Sequence, residues 1–220
     1  MIPLYDTLRP RRFPIVNWLL IALNVLVFLY ELGLSPSAVD RLTRTWGLVP
    51  SVLAAHPGVA WITILTSMFL HGGWFHILSN MWVLYIFGDN VEDRLGPGRY
   101  LFFYLLSGVA AGLLQSLVLR ASSVPMIGAS GAIAGVLGAY LVLYPRARVA
   151  SLVPILFIFT IIEIPATLFL LFWFVSQLFS GWLTLGGASG SGVAWWAHVG
   201  GFLFGLATVF IFAPRRAVYT

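Results

Sequence analysis

The sequence predicts an all-α integral membrane protein with six transmembrane helices and both termini on the cytoplasmic side. Of its 220 residues, 60% are hydrophobic and only 9% are charged, whereas a soluble domain is about half apolar and about a quarter charged. Aromatic residues, which membrane proteins concentrate at the bilayer surface, make up 15% of the chain. The basic residues are all arginines, and their distribution along the chain predicts the direction of each span.

The composition excludes several kinds of catalytic chemistry. The chain contains no cysteine, so disulfide bonds, thiol catalysis and cysteine-ligated zinc are excluded. The His-Glu-x-x-His pattern of zinc proteases does not occur, because no glutamate follows any histidine. An aspartyl intramembrane protease needs two aspartates inside the membrane, and Asp89 lies at the end of a predicted span without a second one.

Six hydrophobic segments are candidates for spans, by comparison with the roughly 20 residues that cross a bilayer. A loop, rather than a single long span over 59–87, is predicted around His71-Gly72-Gly73, because glycine pairs interrupt helices. We expect residues 1–220 to form one membrane domain. The predicted spans are 13–32, 74–87, 100–119, 130–144, 152–179 and 193–212, and the predicted outer loop is 33–73.

The arginines support this number of spans and the cytoplasmic position of the termini. Only Arg41, Arg44 and Arg120 fall on the outer side, which fits the excess of positive charge on cytoplasmic loops. We expect the first span to remain as an anchor, because no cleavage site follows it. The arginines on the inner side are Arg9, Arg11, Arg12, Arg94, Arg99, Arg146, Arg148, Arg215 and Arg216.

Four of the polar residues inside the predicted spans stand out, because polar groups there are costly and often functional. His76 and Asn80 are one helical turn apart in the second span. Ser130 begins the fourth span, and His198 lies near the start of the sixth. These three spans run in the same direction, so the four side chains share one depth near the outer surface. The length of the fourth span places Ser130 roughly 8 Å below that surface.

Small residues in the fourth and sixth spans predict that Ser130 and His198 lie side by side. Gly131 and Gly135 are four residues apart, as are Gly201 and Gly205. This spacing allows the backbones of two membrane helices to approach closely.

Serine and histidine in contact can perform nucleophilic catalysis, because a neutral imidazole can take the serine proton. The oxyanion that then forms needs hydrogen-bond donors. Free backbone N–H groups at the start of the fourth span can supply them, as can the side chains of His76 and Asn80. None of the seven carboxylates is predicted to lie near His198, so the residues predict a dyad without an acid.

Four motifs contain these residues or lie near them in the outer loop. They are His71-Gly-Gly-Trp-Phe-His76-Ile-Leu-Ser-Asn80, Gly128-Ala-Ser130-Gly131, Ala197-His198-Val-Gly-Gly201-Phe-Leu-Phe-Gly205 and, in the outer loop, Trp46-Gly-Leu-Val-Pro50. In combination and order they resemble the motifs of the rhomboid intramembrane serine proteases, in their six-span bacterial form. The resemblance covers nearly the whole chain, from the first span to the last.

The resemblance implies a serine endopeptidase that hydrolyses peptide bonds in or near the transmembrane segments of membrane proteins. Ser130 would be the nucleophile and His198 the general base. His76, Asn80 and the backbone N–H of Ser130 would form the oxyanion hole. The fifth span and the glycine-rich outer loop 186–192 would act as lateral gate and cap. Ala134 stands where some members carry an aromatic residue stacked on the histidine, which leaves open what orients His198.

The resemblance also implies the location of the protein and its partners. It implies a multi-pass protein of the cell (inner) membrane, with an active site that opens toward the extracytoplasmic side. The partners would be transmembrane protein substrates and the lipid bilayer. No nucleic acid, cofactor or metal is expected. The alternative function is a rhomboid-like protein that binds membrane clients without cutting them, which is less favoured because both Ser130 and His198 are retained.

Other polar residues have interpretations of their own. Ser189 lies in a second Gly-Ala-Ser-Gly segment, where a mobile loop is expected. His71 is either a second polar donor or an interfacial residue, and we favour the latter. Glu163, in the predicted fifth span, is either paired inside the bundle, protonated, or part of the gate. Trp173 and Gln177 share one face of that span and indicate helix packing or a gate surface.

Overall fold

The computed structural model describes residues 1–155, 158–185 and 192–213 as a helical bundle with a small β-sheet. A 3-10 turn, Ser67–Phe69, lies shortly before the helix that begins at Trp74. The strands are β1 Ile2–Asp6, β2 Arg148–Ile155 and β3 Ile158–Pro165. The helices are α1 Ile15–Leu32, α2 Pro36–Trp46, α3 Pro50–Ala55, α4 Pro57–Ala60, α5 Ile62–Thr66, α6 Trp74–Leu95, α7 Pro97–Val118, α8 Ser130–Leu143, α9 Ala166–Leu185 and α10 Trp195–Phe212.

The helices confirm a multi-pass membrane protein. In the described part of the chain, four helices (α1, α7, α9 and α10) are long and apolar enough to cross a membrane. A fifth span is possible if the segment Pro57–Phe69 and α6, which meet at a bend of 82°, are taken together. The 14-residue helix α8 is apolar but shorter. The count of six spans and the cytoplasmic position of the termini stay predictions.

The predicted fifth span is wrong in its first half. Residues 148–155 and 158–165 form the antiparallel strands β2 and β3, and helix α9 begins only at Ala166 and continues to Leu185. The bundle therefore carries a sheet that the prediction of an all-α protein did not include. A mostly apolar run fits a strand as well as a helix, and this run is rich in β-branched residues, which favour strands. Pro165 also disfavours a helical conformation at the residue before it.

The sheet joins the amino terminus of the chain to the connection between α8 and α9. Its strand order is β1-β2-β3, with both pairs antiparallel. Ile2 pairs with Leu152 and Asp6 with Val149. Asp6 also anchors β1 to the helices, because its carboxylate accepts hydrogen bonds from the Tyr140 hydroxyl and, at 3.0 Å, from Asn90 Nδ2.

Burial of the Asp6 carboxylate raises its pKa. A carboxyl group whose pKa is higher in the folded state stabilises the fold at low pH and loses that contribution as the pH rises. We therefore expect Asp6→Asn, which keeps an oxygen acceptor and removes the charge, to raise the thermal unfolding temperature at pH 7 but not at pH 4. Tryptophan fluorescence of the detergent-solubilised protein measures this difference. The matched control is Asp40→Asn, in an exposed pair with Arg44, which should change little at either pH. A pH-independent effect of Asp6→Asn would contradict the expectation.

The amino-terminal end of α1 is fixed by a carboxylate from α6. Pro14 at the helix start makes no side-chain cap. Instead, the Glu92 carboxylate accepts hydrogen bonds from the backbone N–H groups of Val16 at 3.0 Å and Asn17 at 2.7 Å. An acidic side chain at this end satisfies unpaired N–H groups and interacts favourably with the helix dipole. The buried contact holds α1 against α6.

The outer loop folds into short helices and is tied to the segment before α8. Leu48, within the Trp46–Pro50 motif, forms an isolated antiparallel bridge with Met126, with hydrogen bonds of 3.0 and 2.8 Å. Close by, the Gly128 N–H donates to the Ser67 carbonyl at 2.8 Å. These bonds fix the backbone that leads into Ser130, the first residue of α8.

Candidate active site

Ser130 and His198 meet between α8 and α10. The Ser130 hydroxyl oxygen lies 2.8 Å from His198 Nε2, which is hydrogen-bonding distance. His198 is buried and Ser130 is half-buried. Each side chain lies in the first turn or so of its helix, so the two helix starts lie beside each other. A hydroxyl in this contact can pass its proton to the imidazole and attack an electrophile.

Glycines produce this contact, as the small-residue spacing predicts. A Cβ atom on Gly201 would overlap the carbonyl oxygen of Gly131, and one on Gly205 would overlap that of Gly135. The backbones of α8 and α10 therefore touch with no side chain between them. A larger residue at either α10 position would have to push the whole helix away, because the opposing atoms are backbone.

His76 and Asn80 lie on the other side of the serine, on α6. Both side chains converge on Gly128, two residues before Ser130: a Cβ there would lie 2.5 Å from His76 Nε2 and 3.6 Å from Asn80 Nδ2. Gly128 also has a φ of 117°, a backbone conformation that residues with a Cβ rarely adopt. Glycine at this position therefore lets the chain enter α8 directly against His76.

The hydrogen bonds around His76 indicate which ring nitrogen carries the proton. The Gly72 N–H lies 3.4 Å from His76 Nδ1, in an arrangement where Nδ1 accepts. The proton of a neutral ring then sits on Nε2, which faces Gly128 and the start of α8. His76 can therefore donate a hydrogen bond toward Ser130, as can the second amide hydrogen of Asn80.

His71 is buried between polar partners and is not exposed at the protein surface, as the favoured interpretation would have suggested. The side chain is 3% exposed and lies between two polar partners. Its Nδ1 is 3.3 Å from the Phe69 carbonyl oxygen, and its Nε2 is 3.1 Å from Asn80 Nδ2. A carbonyl can only accept, so Nδ1 carries the proton and Nε2 accepts from Asn80. The backbone N–H of His71 donates to the Glu31 carboxylate at 3.2 Å.

Gln177 of α9 makes a contact with His198 that the sequence interpretation missed. Its Oε1 lies 2.7 Å from His198 Nδ1, although the two residues are 21 positions apart. The imidazole is flanked by the rings of Trp173, with centroids 5.8 Å apart, and Trp195, at 6.1 Å. A buried amide in an apolar helix was the available signal, since polar groups in membrane spans tend to mark functional sites.

Glu163 lies on strand β3, outside the helices. Its carboxylate is 3.2 Å from Arg148 Nε, and both side chains are about half exposed. The alternative of pairing inside the bundle is therefore wrong, and a part in the gate stays a prediction. An ion pair with this exposure contributes little to stability.

Other predicted features have less structural support. Ser189, Arg215 and Arg216 lie outside the described residues, as does most of the glycine-rich cap segment 186–192. Among the residues that are described, no three histidine or acidic side chains are grouped so that they could hold a metal ion.

A narrow recess opens beside Ser130. Its wall is made of small and apolar residues from α7, α8, the start of α10 and the segment before α8. The lining residues include Gly108, Ala111, Met126, Ile127, Ala194 and Ala197. Such a wall suits a small side chain better than a large or charged one.

The chain is similar over much of its length to proteins of one family. A family model described as the Rhomboid domain matches residues 59–215. Rhomboid-like protein 11, chloroplastic, of Arabidopsis thaliana is 40% identical over 87 residues, which are 40% of this chain and 31% of the relative. Rhomboid protease GluP of Bacillus subtilis is 36% identical over 129 residues, 58% of this chain and 24% of the relative.

A third relative is matched over more of its own length. Putative rhomboid protease YdcA of Bacillus subtilis is 31% identical over 134 residues, 60% of this chain and 63% of the relative. All three matches cover less than two thirds of the relative. The family model, however, covers well over half of this chain and includes His76, Asn80, Ser130 and His198. The chain therefore belongs to the rhomboid family.

Proposed function

We propose that this protein is an intramembrane serine endopeptidase that cleaves transmembrane segments of membrane proteins. Ser130 is the nucleophile and His198 the general base. The observation that supports these roles is the 2.8 Å separation of Ser130 Oγ and His198 Nε2, together with two side-chain donors that converge on Gly128. Family membership adds support, because relatives such as GluP are named rhomboid proteases.

The reaction follows the usual course of serine-catalysed acyl transfer. His198 Nε2 takes the Ser130 hydroxyl proton as Oγ attacks the carbonyl carbon of the substrate peptide bond. The tetrahedral intermediate collapses, the C–N bond breaks, and the imidazolium gives its proton to the leaving amine. A water molecule then loses a proton to His198 and attacks the acyl-enzyme, which releases the carboxylate product and restores the serine.

Three donors are available for the negative charge on the substrate oxygen. The backbone N–H of Ser130 is in the first turn of α8, where amides have no partner within the helix. His76 Nε2–H and the second amide hydrogen of Asn80 approach from α6. Donors that are already oriented stabilise the transition state without any rearrangement. The contact with His71 holds the Asn80 amide in the orientation that this role requires.

Asn80→Ala tests the oxyanion role. We expect kcat to fall on the order of 10²-fold, the loss typical of one oxyanion donor, with KM nearly unchanged. Cleavage kinetics in proteoliposomes measure both constants, and thermal unfolding reports whether the fold is kept. The control is Ser79→Ala on the same helix, whose hydroxyl bonds only to the His76 carbonyl in the described contacts. An Asn80→Ala enzyme with wild-type kcat would exclude the amide from catalysis.

The substrate and the location are part of the same proposal. The recess beside Ser130, with its small apolar lining, favours a small residue at the cleaved bond. The excess of arginine on one side of the predicted spans supports a site that opens to the extracytoplasmic side of a cell (inner) membrane. Transmembrane proteins that unwind near the bilayer surface are then the substrates that can reach Ser130.

A cleavage assay with purified protein in liposomes tests the function. The substrate is a single-span protein with small residues and a helix-breaking residue near its outer end. We expect cleavage that a serine-directed fluorophosphonate blocks and that EDTA leaves unchanged. Inhibition by EDTA would indicate a metal enzyme. If folded protein cleaves none of several substrates and is not labelled by the fluorophosphonate, the alternative function is favoured, in which the protein binds membrane proteins without cutting them.

A further inference from the structure

Both ring nitrogens of His198 have a hydrogen-bond partner. Nε2 faces the Ser130 hydroxyl at 2.8 Å, and Nδ1 faces Gln177 Oε1 at 2.7 Å. The two partners come from different helices, α8 and α9, while His198 itself is on α10. His198 and Gln177 are both buried, with 8% and 6% of their surface exposed. The hydrogen bond between His198 Nδ1 and Gln177 Oε1 is therefore shielded from water.

The neighbours of Gln177 determine which end of its amide faces the histidine. Gln177 Nε2 lies 2.8 Å from Ser176 Oγ and 3.2 Å from the Trp173 carbonyl oxygen. The Ser176 hydroxyl donates its single hydrogen to the same carbonyl, so toward Gln177 it can only accept. The amide nitrogen therefore points along α9, and the amide oxygen points to His198.

The amide oxygen in turn determines the protonation of the imidazole. An amide oxygen only accepts, so the hydrogen on Nδ1 must belong to His198. A neutral imidazole with hydrogen on Nδ1 has a lone pair on Nε2. Nε2 is then the acceptor for the Ser130 hydroxyl, which is the arrangement that a general base needs.

We propose that Gln177 is the positioning residue of the active site, holding His198 in the orientation and tautomer that accept the Ser130 proton. This inference rests on the proposed protease function. A neutral amide here takes the place that a carboxylate occupies in Ser-His-Asp enzymes. Ala134 offers no aromatic ring on α8 that could orient His198. The imidazole is instead oriented by Gln177 and by the rings of Trp173 and Trp195.

Through Gln177, the orientation of the base depends on the position of α9. This helix is held against α10 by side-chain packing: the rings of Phe174 and Phe202 stack with centroids 4.5 Å apart, and a Cβ on Gly181 would lie 3.2 Å from the Trp196 ring. If α9 moves away from α10, Gln177 Oε1 moves with it and Nδ1 loses its acceptor. Ser130 is then fully activated only while α9 lies in its packed position.

Two substitutions at one position separate orientation from packing. Gln177→Leu keeps a similar volume and removes the acceptor, whereas Gln177→Glu keeps an acceptor. Each variant is measured in two ways: kcat and KM for a transmembrane substrate, and the rate at which a small water-soluble fluorophosphonate labels Ser130. The second measurement reports activation of the serine by His198 and does not require a transmembrane segment to enter past α9.

We expect Gln177→Leu to lower kcat and the labelling rate together by about tenfold, the equivalent of one neutral hydrogen bond, with little change in KM. Gln177→Glu should restore both rates to within a few-fold. It should also move the acid limb of the kcat profile to higher pH, because a carboxylate next to His198 favours the imidazolium, which cannot act as a base. The control on the same helix is Thr184→Val, which removes a hydroxyl bonded only to the Gly181 carbonyl in the described contacts and should change neither rate.

Several results would overturn the inference. A Gln177→Leu enzyme that is labelled at the wild-type rate but cleaves poorly would make Gln177 a residue of substrate entry only. If Gln177→Leu does not fold, the pH profile of Gln177→Glu decides: an unchanged acid limb contradicts contact between the two side chains. Wild-type protein that neither cleaves nor is labelled would instead refute the proposed function.

Discussion

Alanine in place of Ser130 is expected to abolish both cleavage of transmembrane substrates and labelling by fluorophosphonates. The reason is chemical: without Oγ there is no nucleophile next to His198 Nε2, and loss of a serine nucleophile costs on the order of 10⁴-fold in rate or more. Gel-based cleavage in proteoliposomes and fluorophosphonate labelling measure the loss. The fold should be retained, because the serine hydroxyl is half-buried and its removal leaves no cavity of consequence.

The matched control is Ser189→Ala, in the second Gly-Ala-Ser-Gly segment of the chain. It should leave cleavage nearly intact. His198→Ala should lose activity to a similar extent as Ser130→Ala, and the double variant should lose no more than either alone, since residues that act as one unit are not additive. Activity that survives Ser130→Ala and is lost in Ser189→Ala would show that the wrong serine was chosen.

Valine in place of Gly205 is expected to lower activity by about 100-fold or more by separating α8 from α10. Even a single Cβ at this position would lie 2.8 Å from the Gly135 Cα and overlap its carbonyl oxygen, and backbone atoms cannot move out of the way as side chains can. Overpacking of this kind costs about 1–3 kcal/mol of stability. Misplacement of catalytic groups by about 1 Å lowers the rate about 100-fold in addition. Thermal unfolding and fluorophosphonate labelling measure the two effects separately.

The control for a glycine substitution is Gly98→Ala, in the first turn of α7, where an added Cβ would meet no atom within 4 Å. Alanine is favoured over glycine in helices by up to about 1 kcal/mol, so Gly98→Ala should keep full activity and equal or higher stability. Gly205→Ala should fall between Gly98→Ala and Gly205→Val. Wild-type labelling in Gly205→Val would mean that the close approach of α8 and α10 is not needed to join Ser130 and His198.

Hydrophobic patterning was enough to predict most of the membrane helices. The first, third, fourth and sixth predicted spans each agree with a helix to within three residues at either end. The second was predicted too short, because α6 continues beyond residue 87 through a turn that contains Asp89, Glu92 and Asp93. Charged residues lower the mean hydropathy without ending the helix, so hydropathy underestimates the length of the helix.

The fifth span shows where patterning fails. Residues 152–165 are mostly apolar, and a mostly apolar run has no periodicity from which a helix and a strand can be distinguished. The decision depends on whether a partner strand is available. Here β1 supplies one from the opposite end of the chain, as the pairing of Ile2 with Leu152 shows. Nothing local to residues 152–165 carries that information.

Among the polar residues near the site, some can be identified from the sequence, whereas the contacts they make are shown only by the structure. Ser130, His198, His76 and Asn80 are identifiable from sequence because each is a polar residue in an apolar segment and the predicted spans put all four at one depth. Regularly spaced glycines also follow Ser130 and His198. The sequence by itself thus determined the membrane class, most of the helices, the family resemblance and the four candidate site residues. All of these depend on composition and on spacing along one helix, which the chain encodes locally.

Only the tertiary structure decided the partners of those residues. Gln177 reaches His198, His71 turns inward to Asn80, and Glu163 pairs with Arg148 on a sheet instead of entering the bundle. Each outcome depends on how a helix is rotated about its axis and on which distant segment packs against it. Those are properties of the assembled chain, because a buried polar group takes the partner that packing brings within about 3 Å, whatever its distance in sequence.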